Sequence, residues 1–368
     1  MFLRCYKIPF LNKLLCKPAS SSYGHYLYDI KHYMIIARKF NLEIIWISNS
    51  NYSHVPLKLK FNVVTHYNNS KFVNILYIFF YNLIAVLDDF LLSKINIEGN
   101  YFLKLKKNYA DSFYRSNLTS IKLLKQDYKK VFKKEIIKNY SHITTKKIIS
   151  INNRDNDYKN FQEKSDTLRS SNIKNLLPAI KYLNDLNYDI FRIGGKKSIN
   201  NDYLIDLSDS NNKDLEWFFI LYSKFLITSD NGFYAVSILL NKPVLILNAI
   251  EPISTFPIKS SDRIIYKRLY NNSLGTLVDL KSQFEIIIKG KMLNNDLFHK
   301  EYNFIENTAE EILEAVKDFL QAKTNHIKNQ YITDIIKSLI GLKHKYIRKN
   351  NPTIFLGDGS VCPSFFKN

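Results

Sequence analysis

Residues 224–248, KFLITSDNGFYAVSILLNKPVLILN, constrain the fold more than any other stretch of the chain. Two short, unbroken apolar runs, 225–228 and 244–247, have the length and the lack of alternation of parallel strands buried on both faces. Between them, Ser229-Asp230-Asn231-Gly232 carries turn chemistry and residues 233–240 a helical pattern. Pro243 closes that helix, because its ring cannot continue it and it biases Lys242 away from the αR region. The stretch therefore reads as a strand–turn–helix–strand unit. Gly232 lets the backbone come close to a ligand, and N–H groups at the helix start favour an anion such as a diphosphate. The plainer alternative is an ordinary βα turn in which Asp-Asn-Gly does no more than reverse the chain.

At 368 residues the chain exceeds the usual size of one domain, so two domains are expected. A hydrophobic fraction of 46%, rich in Phe and Tyr, is enough to build sizeable cores and excludes a disordered chain. The net charge of +20 invites a nucleic-acid partner. Against that, the lysines are scattered, Lys, Asn, Ile and Tyr are inflated together as in AT-rich coding, and no RNA- or DNA-binding motif accompanies them. No nucleic-acid partner is expected; an anionic membrane surface or anionic small molecules such as nucleotide sugars account for the charge equally well. Cys5, Cys16 and Cys362 are too few and too scattered for a disulfide framework or a metal site, which suits a cytoplasmic protein. The N-terminal residues lack the apolar core and cleavage site of a signal peptide and read as a buried first strand or helix.

Along the first half, Tyr26, Ile30, Tyr33, Met34 and Ala37 recur at helical spacing after an entry at Ser22-Tyr23-Gly24. Residues 43–48 and 61–65 read as strands. Residues 72–92 are the most apolar, but Asn74, Asn82, Asp88 and Asp89 interrupt them below membrane-spanning length. A buried helix is expected there, with a membrane-surface helix as the alternative. The N-terminal domain is taken as 1–140, including a charged linker.

The second half alternates strand and helix: strand 148–151, helix 173–186, strand 188–193, short strand 204–207 and helix 214–222, followed by the 224–248 unit. Such alternation predicts a doubly wound parallel sheet over 141–320. Ligands of such sheets lie beyond the carboxyl ends of the strands. Arg154, Gly194-Gly195 and Asp230–Gly232 all lie just past predicted strand ends and are expected in one cleft. Residues 310–320 form an amphipathic helix with Thr308 as N-cap, and 321–368 a further helix and tail packing back on the N-terminal domain.

Arg154 can fork onto a phosphate, while Asp155 and Tyr158 orient it or hold sugar hydroxyls; the alternative is a surface Arg–Asp pair. Arg192 either contacts phosphate beside Gly194 or simply ends a strand and reaches solvent. Asp206 and Glu216 suit caps better than catalysis, and Glu251, after a strand, suits ribose or sugar hydroxyls. His25 behind Gly24 is a candidate general base, with Asp88 and Asp89 as weaker rivals. Asp155 and Asp157 have the Asp-x-Asp spacing of metal-dependent sugar transferases, but they sit in an Arg-led loop, so no metal is expected. No Walker loop, GxGxxG, zincin helix or nucleophile elbow is present, and no cofactor is expected.

Taken in order, Gly24-His25, the Arg154-Asp155-x-x-Tyr158 loop, Asn187-Tyr188 through Arg192-Ile193-Gly194, Asp206, the 225–232 segment and Lys242-Pro243-Val244 resemble a family of bacterial glycosyltransferases found among surface-polysaccharide genes. The match covers 145–255 well and the N-terminal half only at Gly24-His25. More distantly, the chain resembles the fucosyl- and heptosyltransferase type. The resemblance implies a GT-B α/β fold, with two Rossmann-like domains facing a cleft. It also implies a nucleotide-sugar donor held by the C-terminal domain through Arg154, Asp155, Tyr158, Arg192, Gly194, Asp206, Ser229, Asp230, Asn231, Gly232 and Glu251. The partner is a glycan or lipid-linked acceptor, the activity a metal-independent hexosyltransferase, and the place the cytoplasm or the inner face of the membrane. Two departures stand out: Asn152-Asn153 where fucosyltransferase-like loops carry a His, and Asp230-Asn231 where the family has Ser before Gly. The rival functions are a nucleotide-sugar epimerase of the same fold and a non-enzymatic basic protein that binds nucleic acid or anionic lipid.

Overall fold

The computed structural model describes residues 5–7, 12–16, 23–39, 41–47, 65–67, 75–76, 78–79, 147–155, 168–195, 198–208, 213–250, 252, 257, 259–289, 296–321, 335 and 359–366. The chain divides into two compact units: residues 1–127 with 238–241 and 352–355, and the remainder.

In the first unit, β1 (Cys5–Lys7), β2 (Lys13–Cys16), β3 (Glu43–Trp46) and β4 (Thr65–Tyr67) form a sheet in that order. The β1–β2 pair is antiparallel; β2–β3 and β3–β4 are parallel. Helix α1 (Tyr23–Lys39) makes the β2–β3 crossover, and Tyr26, Ile30, Tyr33, Met34 and Ala37 are all buried. The helical spacing thus identified the buried face residue by residue. Tyr33 meets Trp46 with ring centroids 6.0 Å apart. Of the apolar stretch 72–92 only four residues are described, all helical. Ile78 packs against Leu15, Ile45 and Ile47, whereas Ile75 and Phe79 are more than half exposed. The expected burial therefore holds on one side of the described turn and fails on the other. Asp88 and Asp89 lie outside the described residues, and no described helix is long and apolar enough to cross a membrane.

The second unit is built on a seven-stranded sheet. Its first five strands are β5 (Ile148–Asn152), β6 (Asp189–Arg192), β7 (Ile205–Asp206), β8 (Leu226–Ser229) and β9 (Val244–Ala249). β10 (Arg263–Tyr266) continues the sheet, and a small antiparallel sheet follows from β11 (Arg268–Asn271), β12 (Thr276–Leu277) and β13 (Tyr302–Ile305), with β11 central. β14 (Ser360–Val361) returns to the large sheet, whose order is β7-β6-β5-β8-β9-β10-β14 with every pairing parallel. The connecting helices are α2 (Leu177–Asp185), α3 (Lys213–Tyr222) and α4 (Tyr234–Leu240), then α5 (Leu280–Lys289), α6 (Asp296–Glu301) and α7 (Ala309–Gln321). All of β8 and β9 is buried, as the unbroken apolar runs required. Phe191 stacks on Phe219 at 3.6 Å between centroids, and Phe225 meets Phe319 edge-on at 5.1 Å.

Helices α1, α2 and α4 end alike. Asn41, Asn187 and Asn241 take positive φ (51°, 61° and 53°), and the next N–H (Leu42, Tyr188, Lys242) bonds back to the carbonyl of Ala37, Leu183 or Ser237 at 2.8–3.1 Å. This is the Schellman termination, with Asn in the place Gly usually takes because its side chain tolerates αL. The predicted helix over 173–186 is divided: Ile173–Leu176 is a 3-10 turn capped by Asn172, and α2 starts afresh at Leu177 with Pro178 in its first turn, where no N–H is missed.

The predicted cap of α7 is a full capping box. Thr308 Oγ1 accepts from Glu311 N at 3.1 Å, and Glu311 Oε2 accepts from Thr308 N at 2.9 Å. Thr308→Ala is expected to cost about 1 kcal/mol of second-unit stability in urea unfolding.

The tail is divided between the two units, 352–355 falling with the first. Its described residues 359–366 join the second unit: β14 pairs with β10, Ser364 N donates to Asp318 Oδ2 at 2.7 Å, and Arg268 lies 4.1 Å over the Phe365 ring. The helical pattern over 322–350 falls almost wholly outside the described residues.

Candidate active site at the crossover of the parallel sheet

Counted from β5, the strand order is 3-2-1-4-5-6 with β14 added beyond the sixth. The chain leaves β5 toward one half of the sheet and returns to start β8 beside it, so the switch point lies between β5 and β8. Crevices for ligands open there, beyond the carboxyl ends of the strands. Arg154 follows β5 and Asn231 follows β8.

Side chains knit the strand-end loops together. Arg154 N donates to Ser229 Oγ at 3.0 Å, and Ser171 N donates to Arg154 O at 2.8 Å. Asn231 Nδ2 donates to Asn152 Oδ1 at 2.8 Å and to Ser229 Oγ at 2.9 Å. Asn152 Nδ2 in turn donates to Ile193 O at 2.6 Å. Asn152 thus ties the loop after β8 to the loop after β6. Gly194 and Gly195 have φ of +73° and +94°, and a Cβ on Gly194 would stand 2.7 Å from Asn152 Nδ2. A Cβ on Gly195 would collide with the Arg192 guanidinium. Both positions need glycine for conformation and for space.

Arg192 turns inward beneath the loops. It is 1% exposed, its Nη1 donates to Asp206 Oδ2 at 2.6 Å, and its Nη2 lies 3.4 Å from Asp155 Oδ2. Asp206 also accepts from Ile199 N and Ser208 N, each at 2.8 Å. Arg192 and Asp206 hold the floor of the loops by charge-assisted bonds. Ser229 is likewise buried, its hydroxyl committed to Arg154 N and Asn231. Asp230 turns its carboxylate away from the switch point, accepting from Ile250 N beyond β9 at 3.2 Å.

Arg154 and Asn231 are partly exposed at the crossover and Gly232 is exposed. The turn into α4 uses several of its own N–H groups: Phe233 N donates to Asn231 Oδ1, Tyr234 N to Asn231 O and Ala235 N to Gly232 O. The N–H groups of Asn231 and Gly232 donate to no described residue. His25 lies in α1, but its side chain falls outside the described residues, as do Tyr158, Asp157 and Glu251. Glu216 is buried within α3. Among the described residues, no group of three or more His, Cys, Asp or Glu is placed to hold a metal ion.

A second polar cluster went unread in the sequence. Asn153 Nδ2 donates to the Ser171 carbonyl and Ser171 Oγ to Asn153 Oδ1, Asn248 Nδ2 donates to Ser171 Oγ, and the backbone N–H groups of Asn248 and Asn307 each donate to the other's Oδ1 at 2.7–2.8 Å. Lys267, just after β10, donates to Ser170 O at 2.6 Å. The usable signal was a polar residue directly after each apolar run; the general abundance of Asn and Lys hid it.

The second unit belongs by topology to the doubly wound α/β class, with polar, Arg-bearing loops at its switch point. No protein-family model matches the chain, and comparison with curated proteins finds no match. Among solved structures it is similar to the ADP-heptose LPS heptosyltransferase II of E. coli, with 14% identity and a TM-score of 0.49 over 84% of this chain and 99% of that one. It is also similar to a glycosyl transferase of family 9 from Veillonella parvula DSM 2008, with 13% identity and a TM-score of 0.29 over 82% and 81% of the two chains. These are distant likenesses, and the chemistry of the strand-end loops is judged from their own side chains.

Proposed function

We propose that this chain is a glycosyltransferase of GT-B type that moves a sugar from a nucleotide-sugar donor to a glycan or lipid-linked acceptor. One observation carries the proposal: Arg154 leaves the first strand at the switch point, half-buried, on a backbone fixed to Ser229 and Ser171. A guanidinium held there is suited to fork onto a diphosphate, with the Asn231 and Gly232 N–H groups across the same junction.

In the transfer, an acceptor hydroxyl attacks the anomeric carbon, the bond from that carbon to the diphosphate oxygen breaks, and negative charge gathers on the leaving group. Arg154 stabilises that charge without a metal, and His25 takes the hydroxyl proton. Asp155, Tyr158 and Glu251 serve ribose or sugar hydroxyls. The donor belongs to residues 141–320 and the acceptor to 1–140, in synthesis of a surface polysaccharide at the inner face of a membrane.

The test is a thermal-shift screen against UDP, GDP, CMP, ADP and their sugars, with and without Mg²⁺. One nucleotide at about 100 times its Kd is expected to stabilise the fold by roughly 2.7 kcal/mol, with no need of metal. A shift that needs Mg²⁺ would return Asp155 and Asp157 to the role of ligands. A folded sample that answers to no nucleotide would defeat the proposal. Release of nucleoside diphosphate only when an acceptor is added distinguishes the transferase from the epimerase, which converts the donor to its epimer with no acceptor.

A further inference from the structure

The backbone ladder between β5 and β8 runs as far as Asn152, which stands opposite Thr228. Two residues further on, the Arg154 N–H is beyond the ladder, and a side chain takes it over: Ser229 Oγ accepts from it at 3.0 Å. The same oxygen accepts from Asn231 Nδ2 at 2.9 Å, and that nitrogen also donates to Asn152 Oδ1 at 2.8 Å. These bonds close a ring that runs from the Asn152 side chain through Asn231, Ser229 Oγ and Arg154 N, then back along the chain to Asn152. The ring is anchored on two sides. Asn152 Nδ2 donates to Ile193 O past β6 at 2.6 Å, where Gly194 lacks the Cβ that would crowd it. Asn231 Oδ1 accepts from Phe233 N at 2.8 Å. Position 152 thus uses a donor and an acceptor on one short side chain, which a carboxamide supplies.

We propose that Asn152 is a positioning residue: through Asn231 and Ser229 it fixes the direction in which Arg154 leaves the strand, and so the aim of the guanidinium at the donor's phosphates. The assignment rests on the reading of Arg154 given above. Asn152 itself touches no donor. With its side chain removed the ring opens, and the single bond from Arg154 N to Ser229 Oγ no longer sets the angle between the ends of β5 and β8. A guanidinium that forks onto a phosphate depends on that angle, because both of its bonds must be met at once.

The test is a double-mutant cycle with Arg154, read by calorimetric titration of the full chain with UDP, GDP, CMP and ADP. For the nucleotide that binds wild type most tightly, Arg154→Ala is expected to weaken affinity by about thirtyfold and Asn152→Ala by about tenfold. Added to Arg154→Ala, Asn152→Ala is expected to cost less than about threefold more, because the group it aims is already gone. A merely structural Asn152 would cost as much without Arg154 as with it. That additive result overturns the assignment, and so does Asn152→Ala that binds like wild type. If Asn152→Ala does not fold, Asn231→Ala opens the same ring from its other side and enters the same cycle under the same criteria. Failure of both variants to fold overturns the assignment as well, since the pair then holds the fold rather than the aim of Arg154. Affinity that Arg154→Ala leaves unchanged, or wild-type protein that binds none of the four nucleotides, overturns the reading of Arg154 and this one with it.

Discussion

Arg154→Ala is expected to lower turnover by about a hundredfold or more, the scale of one lost donor to a developing charge, while the melting temperature stays near that of wild type. The separation of the two effects follows from how the loop is held. Its backbone is fixed through Arg154 N on Ser229 Oγ and Arg154 O on Ser171 N, contacts that survive truncation of the side chain. Arg154→Lys should recover part of the activity, since it restores a charge but not the two-pronged geometry. Steady-state kinetics with donor and acceptor, beside a thermal melt, check both expectations. Near-normal turnover in Arg154→Ala removes this residue from the mechanism.

Arg192→Met should act in the opposite way, on stability first. Asp206 has a side chain only 6% exposed, and the guanidinium is its charged partner at 2.6 Å. Removing one member of a buried pair leaves the other as an uncompensated charge, at a cost of about 3–5 kcal/mol. That is a large share of the roughly 5–15 kcal/mol that holds a domain folded. Asp206→Asn in the same chain should return part of the loss, because the amide oxygen can still accept from Ile199 N or Ser208 N. Urea unfolding, followed by a probe in the second unit, measures the difference. A loss below about 1 kcal/mol would mean that solvent already reaches the pair.

Much of this arrangement was written in local sequence. The buried face of α1 could be read because five apolar residues share one side of a 3.6-residue repeat, and β8 and β9 because nothing polar interrupts them. The loops at the crossover were visible for the same reason: each begins where an apolar run stops. By contrast, β10 is bounded by Asp262, Arg263 and Lys267, all buried, so its four residues carry no apolar run long enough to notice. The pairing of Arg192 with Asp206 depends on their being register partners across β6 and β7, which spacing alone does not fix. Nor could sequence show which way Asp230 points, because Ile250 N, the donor its carboxylate accepts from, meets it only after the sheet has closed.

Among the described residues, both margins of the seven-stranded sheet are two-residue strands, Ile205–Asp206 on one side and Ser360–Val361 on the other. A foreign backbone arriving at either margin finds almost no ladder to copy, and one margin already carries a carboxylate committed to Arg192. At its described margins this large, apolar, parallel sheet is therefore poorly suited to templating its own aggregation by strand addition.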